Sequence, residues 1–304
     1  MKKLLTSFFA MLLMIGSLSA QDAPADTAWK TGGVASLGFT NTSLSTYWQA
    51  GGINARSFIA RVNLFANYKE AKTSWQNDLA LEYGAISQGA NDNPFIKNAD
   101  RIELNSKYGY GLTEKLFLSS LLNFRTQFAD GFTFDANSPT TIPADTVSDF
   151  FAPAYLNFSV GLDYQPNDKL TIYYSPVNSK MTFVGVEEFQ PIYNPEGDGF
   201  RYELGSLLRV GFKDEIAKNI IFQSTANFFS NYLENPGNID VNWETITTAK
   251  VNDWLAVTFT TNLIYDDDIK FALVDDNGAA TGATGPRTQF QNVLAIGLTY
   301  QFLK

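Results

Sequence analysis

Asp78 and Glu82 share one face of a segment of alternating polarity, and Arg61 and Arg101 occupy the matching face of the segments before and after it. Two carboxylates within reach of one substrate can divide general-acid and general-base work between them. The same four residues can also neutralise one another as ion pairs, which lowers the cost of enclosing charge, and this filling is the expected role. The chain contains no histidine and no cysteine. A Ser-His-Asp triad, a histidine zinc site, thiolate metal ligation, disulfides and a lipid-modified cysteine are therefore excluded. Asp266, Asp267 and Asp268, followed by Asp275, Asp276 and Asn277, are hard oxygen ligands of the kind Ca²⁺ takes. They lack the EF-hand spacing, so a solvated acidic loop is expected there, with the run Gly278–Gly285 as a flexible tip.

The elements that must position these residues are strands. From Phe58 to Tyr68, apolar Phe58, Ala60, Val62, Leu64, Ala66 and Tyr68 alternate with Ile59, Arg61, Asn63, Phe65 and Asn67, a period of two. The rhythm recurs at Trp75–Tyr83, Arg101–Tyr110, Leu116–Phe128, Ala154–Tyr164, Leu170–Ser175, Phe200–Phe212, Ile220–Tyr232, Ile239–Ala249, Leu255–Tyr265 and Phe290–Phe302. With a first strand near Val34–Thr40 the count is about twelve. No internal repeat and no shift of composition marks a second domain.

Alternation fits both a soluble sandwich with its apolar face inward and a membrane barrel with that face outward, and four features favour the barrel. The strands have roughly the 9–11 residues or more that a tilted bilayer crossing needs, against about 5–6 in soluble sheets. The connections alternate in length. Lys69–Thr73, Gly111–Lys115, Gln165–Lys169, Lys213–Asn219 and Lys250–Asp253 are short, as periplasmic turns are. Asn41–Ala55, Ser87–Ala99, Ala129–Phe151, Pro176–Gly199 and Asp266–Thr288 are long, as outer loops are, with Asn231–Asn238 shorter than the rest.

The third feature is a sorting of aromatic residues on the apolar face. Tyr68, Trp75, Tyr108, Tyr110, Tyr164, Phe212, Phe222, Tyr300 and Phe302 fall at one end of the strands, and Phe58, Tyr83, Phe128, Phe200, Tyr202, Tyr232, Tyr265 and Phe290 at the other. Two such belts around an aliphatic band match a lipid-facing surface, although Phe124, Phe158, Trp243 and Phe259 interrupt the band. The fourth is the last strand, where Gly297, Tyr300 and Phe302 form a Gly-x-x-Tyr-x-Phe ending that resembles the signal read by the bacterial barrel-insertion machinery. Leu303 and Lys304 follow it, and Ala295 departs from the usual polar preference.

The amino terminus agrees. Lys2 and Lys3 precede an apolar run from Leu4 to Ile15 and small residues from Gly16 to Ala20, the pattern of a cleaved signal peptide, with Leu18 the one departure from the cleavage motif. The run is too short for a spanning helix. The expected organisation is a signal peptide over residues 1–20 and a single barrel domain over 21–304. Formal net charge is −9. Loss of Lys2 and Lys3 makes it −11, from 20 basic and 31 acidic residues, which does not suit a nucleic-acid partner.

If the apolar face meets lipid, the opposite face lines the interior. Its charged residues are Arg61, Asp78, Glu82, Arg101, Glu103, Lys107, Arg125, Asp163, Arg201, Glu203, Arg209, Asp240, Glu244 and Lys250. A salt-bridged filling is the expected arrangement, and a charged eyelet that selects solutes is its functional counterpart. Twelve strands fall between the roughly 8 of a filled barrel and the 16–18 of an aqueous channel. Inward Phe65, Phe117, Leu121, Tyr155, Tyr173, Phe229 and Trp254 would narrow the path or contact an apolar ligand.

Several stretches resemble an uncharacterised family of barrel proteins from Bacteroidetes-type Gram-negative bacteria, a domain of unknown function. They are Tyr47-Trp48-Gln49-Ala50-Gly51-Gly52-Ile53-Asn54, Trp75-Gln76-Asn77, Tyr83-Gly84, Asp100-Arg101-Ile102, Thr126-Gln127-Phe128 with Gly131, Phe151-Ala152-Pro153-Ala154-Tyr155 and Ser175-Pro176. They cover roughly the middle half of the chain. The resemblance implies an outer-membrane barrel and no activity.

The reading is an all-β, transmembrane, antiparallel up-and-down barrel of about twelve strands with periplasmic termini, in the outer membrane of a Gram-negative bacterium. A narrow channel or ligand-selective pore is the leading function. A structural barrel whose loops hold a protein or glycan, a transporter of hydrophobic compounds and a soluble exported sandwich are the alternatives. Barrel phospholipases and proteases use a histidine, so no enzyme activity, cofactor or metal is expected. The partners expected are outer-membrane lipid and the insertion machinery.

Overall fold

The computed structural model describes residues 28–44, 54–89, 95–132, 145–194, 197–274 and 280–303. Side chains that alternate between two environments require extended chain, and the described residues form strands β1 (Trp29–Thr42), β2 (Ala55–Glu70), β3 (Thr73–Gln88), β4 (Ile96–Gly111), β5 (Leu116–Thr126), β6 (Gly131–Phe132), β7 (Thr146–Ser148) and β8 (Ala154–Tyr164). They continue with β9 (Leu170–Phe183), β10 (Phe200–Ala217), β11 (Ile220–Asn231), β12 (Asp240–Lys250), β13 (Leu255–Tyr265), β14 (Phe271–Val274), β15 (Ala280–Gly285) and β16 (Gln289–Leu303). Between β9 and β10 lie a 3₁₀ turn, Glu187–Phe189, and a one-turn helix, Gln190–Tyr193.

Twelve strands close into one barrel in the order β1-β16-β13-β12-β11-β10-β9-β8-β5-β4-β3-β2. Each pairs antiparallel with its neighbours, and β16 returns to β1. The remaining four form two small hairpins, β6 with β7 and β14 with β15, inside long connections. Closure provides backbone hydrogen-bond partners around the sheet, the condition for crossing a bilayer with strands.

Connections at one end of the barrel are short, spanning 71–72, 112–115, 165–169, 218–219 and 251–254, and those at the other span 43–54, 89–95, 127–153, 184–199, 232–239 and 266–288. The short ones are built from turn chemistry. Ala71 and Asn219 have positive φ in the two-residue turns. In the longer turns a side-chain oxygen accepts the two amides that start the next strand. Asn167 Oδ1 holds Lys169 and Leu170 N at 2.9 and 3.0 Å, and Asn252 Oδ1 holds Trp254 and Leu255 N at 3.0 and 2.7 Å.

Several strands run longer than the sequence expectation, β3 to Gln88 and β4 from Ile96 among them, and three further differences bear on the fold. β1 begins at Trp29 rather than near Val34, and β10 runs to Ala217 through the expected turn at Lys213. β9 does not stop at Ser175 but continues through Pro176 to Phe183. The reason is a bulge. Val160 pairs with Val177 and Leu162 with Tyr174, and on the other side Gly205 pairs with Asn178 and Leu207 with Ser175. The extra residue needs no ladder amide, so proline is tolerated there. Ser175 Oγ lies 2.8 Å from Val160 O and 2.7 Å from Val177 O and ties the bulge down.

Candidate functional site

The orientation of the faces decides what the interior contains. Along β8, Ser159 and Asp163 are each 1% exposed, whereas Phe158 and the neighbouring Val160, Leu162 and Tyr164 are 43–44% exposed. The polar side is enclosed and the apolar side is the outside, the reverse of a soluble sandwich. Leu121, Tyr173, Leu207 and Phe229 join the polar residues inside, so one part of the lumen is filled by bulk as well as charge.

The enclosed charges form layers. Next to the long-loop end, Lys180 Nζ of β9 lies 3.2 Å from Glu203 and 3.4 Å from Asp240. Arg201 pairs with Glu203 at 3.0 Å and with Asp268. Below them, Arg101 Nη1 donates to Glu244 Oε1 at 2.8 Å and lies 3.5 Å from Glu103. β4 and β12 are six steps apart in either direction around the barrel, so this pair bridges the lumen from wall to wall. Glu103 Oε1 accepts Asn123 Nδ2 at 2.8 Å, which also reaches Asn105 Oδ1 at 3.0 Å, and Arg209 Nη1 donates to Asn105 Oδ1 at 3.3 Å. Lower still, Lys107 pairs with Asp163, while Arg61 pairs with Glu82 on the β2–β3 wall.

Other expected lumen residues fall outside these pairs. Arg125 stands beside Glu103 in the register of β4 and β5. Asp78 stands between Phe65 and Asn105. Glu82 is turned to Arg61 as an ion pair rather than to Asp78 as a carboxylate pair. Lys250 lies at the turn end of β12 and is exposed, and Trp254, expected inside, lies 57% exposed in the following turn. Asp266 and Asp268 are not a solvated acidic loop. Asp268 pairs with Arg201, Asp266 lies 3.9 Å from Lys180, and Asp267 accepts Asn238 Nδ2 at 2.6 Å. Lys180 and Arg201 at the mouth hold Asp266 and Asp268 against the barrel. Among the described residues no cluster fits a metal ion. Asp275 to Gly278 lie outside the described residues, as do Tyr47 to Ile53.

Lys180 was hidden from the sequence reading by Pro176, although Asn178, Lys180 and Thr182 keep period two against Met181 and Phe183. A second cluster was also missed. At the rim, Asp100 accepts Phe128 N at 2.7 Å and Ala129 N at 3.0 Å, and Lys97 Nζ joins Asp100 at 3.0 Å and Gln127 Oε1 at 3.1 Å. Thr126 Oγ1 donates to Pro153 O, and Gln127 Nε2 to Ala152 O, both at 3.1 Å. These residues stitch the start and end of the 127–153 connection to the barrel. Ala152 packs with Val184 and Phe189, joined by Tyr193, whose hydroxyl donates to Val147 O at 3.0 Å. Burial pushes the Tyr193 hydroxyl pKa up.

Outside, aromatic residues line up across strands. Trp29, Tyr68, Trp75 and Tyr108 occupy one register row, with Trp29 centroids 5.3 Å from Tyr68 and 5.7 Å from Trp75. Tyr110, Tyr164, Phe200, Tyr202, Tyr232, Phe290 and Tyr300 are exposed. Phe58, Tyr83, Phe128, Phe212, Phe222 and Tyr265 are half-buried against neighbours. Phe302 lies in β16, with its side chain outside the description. Toward the loops, Phe151, Phe183 and Phe200 continue a ring row from Phe124, at 5.2–6.3 Å. Mid-band indoles are satisfied within the wall, since Trp243 Nε1 donates to Ser224 Oγ at 2.9 Å.

A closed antiparallel barrel with an exposed aliphatic band, aromatic rows and an ionic interior is an outer-membrane β-barrel. Residues 39–132 match the sequence profile of a family described as Protein of unknown function (DUF3078). No curated protein matches the chain. Among solved structures, the chain is similar to the COG4313 outer membrane channel from Pseudomonas putida F1, at 10% identity and a TM-score of 0.39 over 93% of this chain and 100% of that one. It is similar to the translocator domain of autotransporter NalP from Neisseria meningitidis, at 9% identity and a TM-score of 0.37 over 97% of each chain. It is also similar to OmpT, an outer membrane protein of Vibrio cholerae, at 10% identity and a TM-score of 0.32 over 92% of this chain and 100% of that one.

Proposed function

We propose that this barrel is a narrow, ligand-selective passage without catalytic chemistry, constricted where Arg101 and Glu244 meet across the lumen. The observation that carries the reading is that wall-to-wall pair, at 2.8 Å between opposite strands. Charged side chains that project into a pore set both its width and the sign of what crosses. The long connections face outward in this reading, the termini face the periplasm, Met1–Ala20 is removed on export, and the β16 ending is what the insertion machinery reads. Single-channel recording in planar bilayers tests it. The wild-type barrel is expected to show small conductance, and Glu244→Gln at least a threefold larger one with altered anion-to-cation preference. Absence of any current through both proteins would remove the channel reading.

A second reading follows from the rim. Within the 127–153 and 184–199 connections, Ala152, Val184 and Phe189 pack together, and the surface above them could hold a protein or glycan. Crosslinking from Phe150, 59% exposed on that surface, should then capture a defined partner in cells.

A further inference from the structure

The acidic triplet after β13 crosses the mouth of the barrel. β13 ends at Tyr265, and β10, which carries Arg201, and β9, which carries Lys180, stand three and four strands away in the barrel order. Asp268 nevertheless pairs with Arg201, and Asp266 lies 3.9 Å from Lys180 Nζ. The chain leaving β13 therefore turns inward and cuts across the opening instead of rising away from it. Its hold is polar throughout. Asp267 Oδ2 accepts Asn238 Nδ2 at 2.6 Å, Asp267 Oδ1 accepts the Tyr265 hydroxyl at 3.1 Å, and Asp268 N donates to Asp266 Oδ1 at 3.0 Å.

This strap changes the charge of the mouth. On the barrel wall, Lys180 and Arg201 face Glu203 and Asp240, two cations against two carboxylates. Asp266 and Asp268 add two carboxylates to the same ion-pair network, which makes it two cations against four, a net −2. Apart from Glu203, these side chains keep 14–20% exposure, so they border lumen that water reaches. Lys180 shows how a cation is received there. Its ammonium has Glu203, Asp240 and Asp266 at 3.2, 3.4 and 3.9 Å, and the centroid of the Phe229 ring lies 5.2 Å away. Carboxylates beside an aromatic face are surroundings that an ammonium group favours.

We propose that the Asp266–Asp268 strap is the specificity filter of the mouth, and that the solutes it admits are small organic cations bearing an ammonium group. The inference names the solute class of the ligand-selective passage and rests on that reading for what happens further down the lumen. An entering cation meets the excess charge of Asp266 and Asp268, whereas an anion is repelled by it, as carboxylate rings do in cation-selective pores. A narrow, walled opening focuses that field. Because the wall charges balance without the strap, the preference resides in the strap and not in the barrel.

The chain has no cysteine, so a single Asn227→Cys thiol reports access to the lumen. Asn227 pairs with Asn242, one inward step on the mouth side of Glu244, and a reagent reaches it without passing the Arg101–Glu244 pair. The folded barrel in detergent is treated with methanethiosulfonates carrying a trimethylammonium group, a sulfonate or no charge, and each rate is divided by that of a free thiol. The ammonium reagent is expected to react about tenfold faster than the sulfonate. Adding Asp266→Asn and Asp268→Asn should bring that ratio to about 1. Arg201→Gln, which frees Asp268, should speed the neutral reagent several-fold, since it loosens the strap. Asp214→Asn, at the turn end, should keep the ratio of the parent. The gel shift of the unboiled protein verifies folding, and Asp268→Asn alone replaces a double variant that loses it. A ratio near 1 in the parent, or one that survives the loss of both strap carboxylates, would overturn the proposal. Missing current in planar bilayers would remove the passage without altering these rates, so the two readings fail separately.

Discussion

Arg101 and Glu244 hold each other at 2.8 Å from opposite walls of a twelve-stranded barrel. A pair across a lumen differs from a pair on one wall, since it ties together strands with no ladder between them. The two side chains keep 18% and 25% exposure, so water moderates both the cost of enclosing the charges and their attraction. A double-mutant cycle with Arg101→Gln and Glu244→Gln should return a coupling of about 1–2 kcal/mol in urea unfolding from vesicles. A coupling indistinguishable from zero would mean that the bridge does not form in the membrane.

The assignment of the apolar face to lipid has its own test. Val160 is exposed at mid-strand while Ser159 beside it is enclosed. An arginine facing the bilayer midplane costs about 2–4 kcal/mol. Val160→Arg should lower unfolding stability by that amount, and Asn157→Ser, which removes the bond from Asn157 Nδ2 to Asn123 Oδ1 on the inner face, by about 0.5–1.5 kcal/mol. Equal costs at the two sites would contradict the orientation.

Asp100 anchors the 127–153 connection through the amides of Phe128 and Ala129 and through Lys97. Bonds to a charged acceptor contribute about 1.5–3 kcal/mol together with the desolvation they offset. Asp100→Ala should leave the barrel folded, judged by its shift on an unboiled gel, and raise the rate of protease cleavage within 127–153 at least tenfold. An unchanged cleavage pattern would show that the loop is held by the Ala152, Val184 and Phe189 contacts alone.

What the sequence made legible follows from what period two can report. It shows which side chains share a face, so the strands, the enclosed side of Glu203 and Asp163 and most of the aromatic rows could be read directly. It does not report which opposite strands approach across a lumen, so nothing in the spacing of Arg101 and Glu244 announces their contact. Pro176 reads as a terminator unless the bulge that accommodates it is known, and Lys180 was lost with the end of β9. The acidic triplet at Asp266 reads as solvated because its cations, Arg201 and Lys180, lie more than sixty residues earlier.

The rim carries a pH-dependent element outside the membrane. Desolvation, and then the hydrogen bond and charge of Asp149, hold the Asp130 carboxyl above its ordinary 3.8, with Lys97 opposing them. The folded loop therefore binds a proton more readily than the detached loop, and the sign follows from linkage. Its contribution is fully present below the ordinary value and is lost as pH rises through the raised one. Hydrogen exchange at Gly131 and Ser148, which pair in the β6–β7 hairpin, should be slower at pH 4 than at pH 7 after correction for intrinsic chemistry. Asp130→Asn mimics the neutral form and should give the slow rate at both values. Protection that increased with pH in wild type would reverse the sign and remove Asp130 as the responsible group.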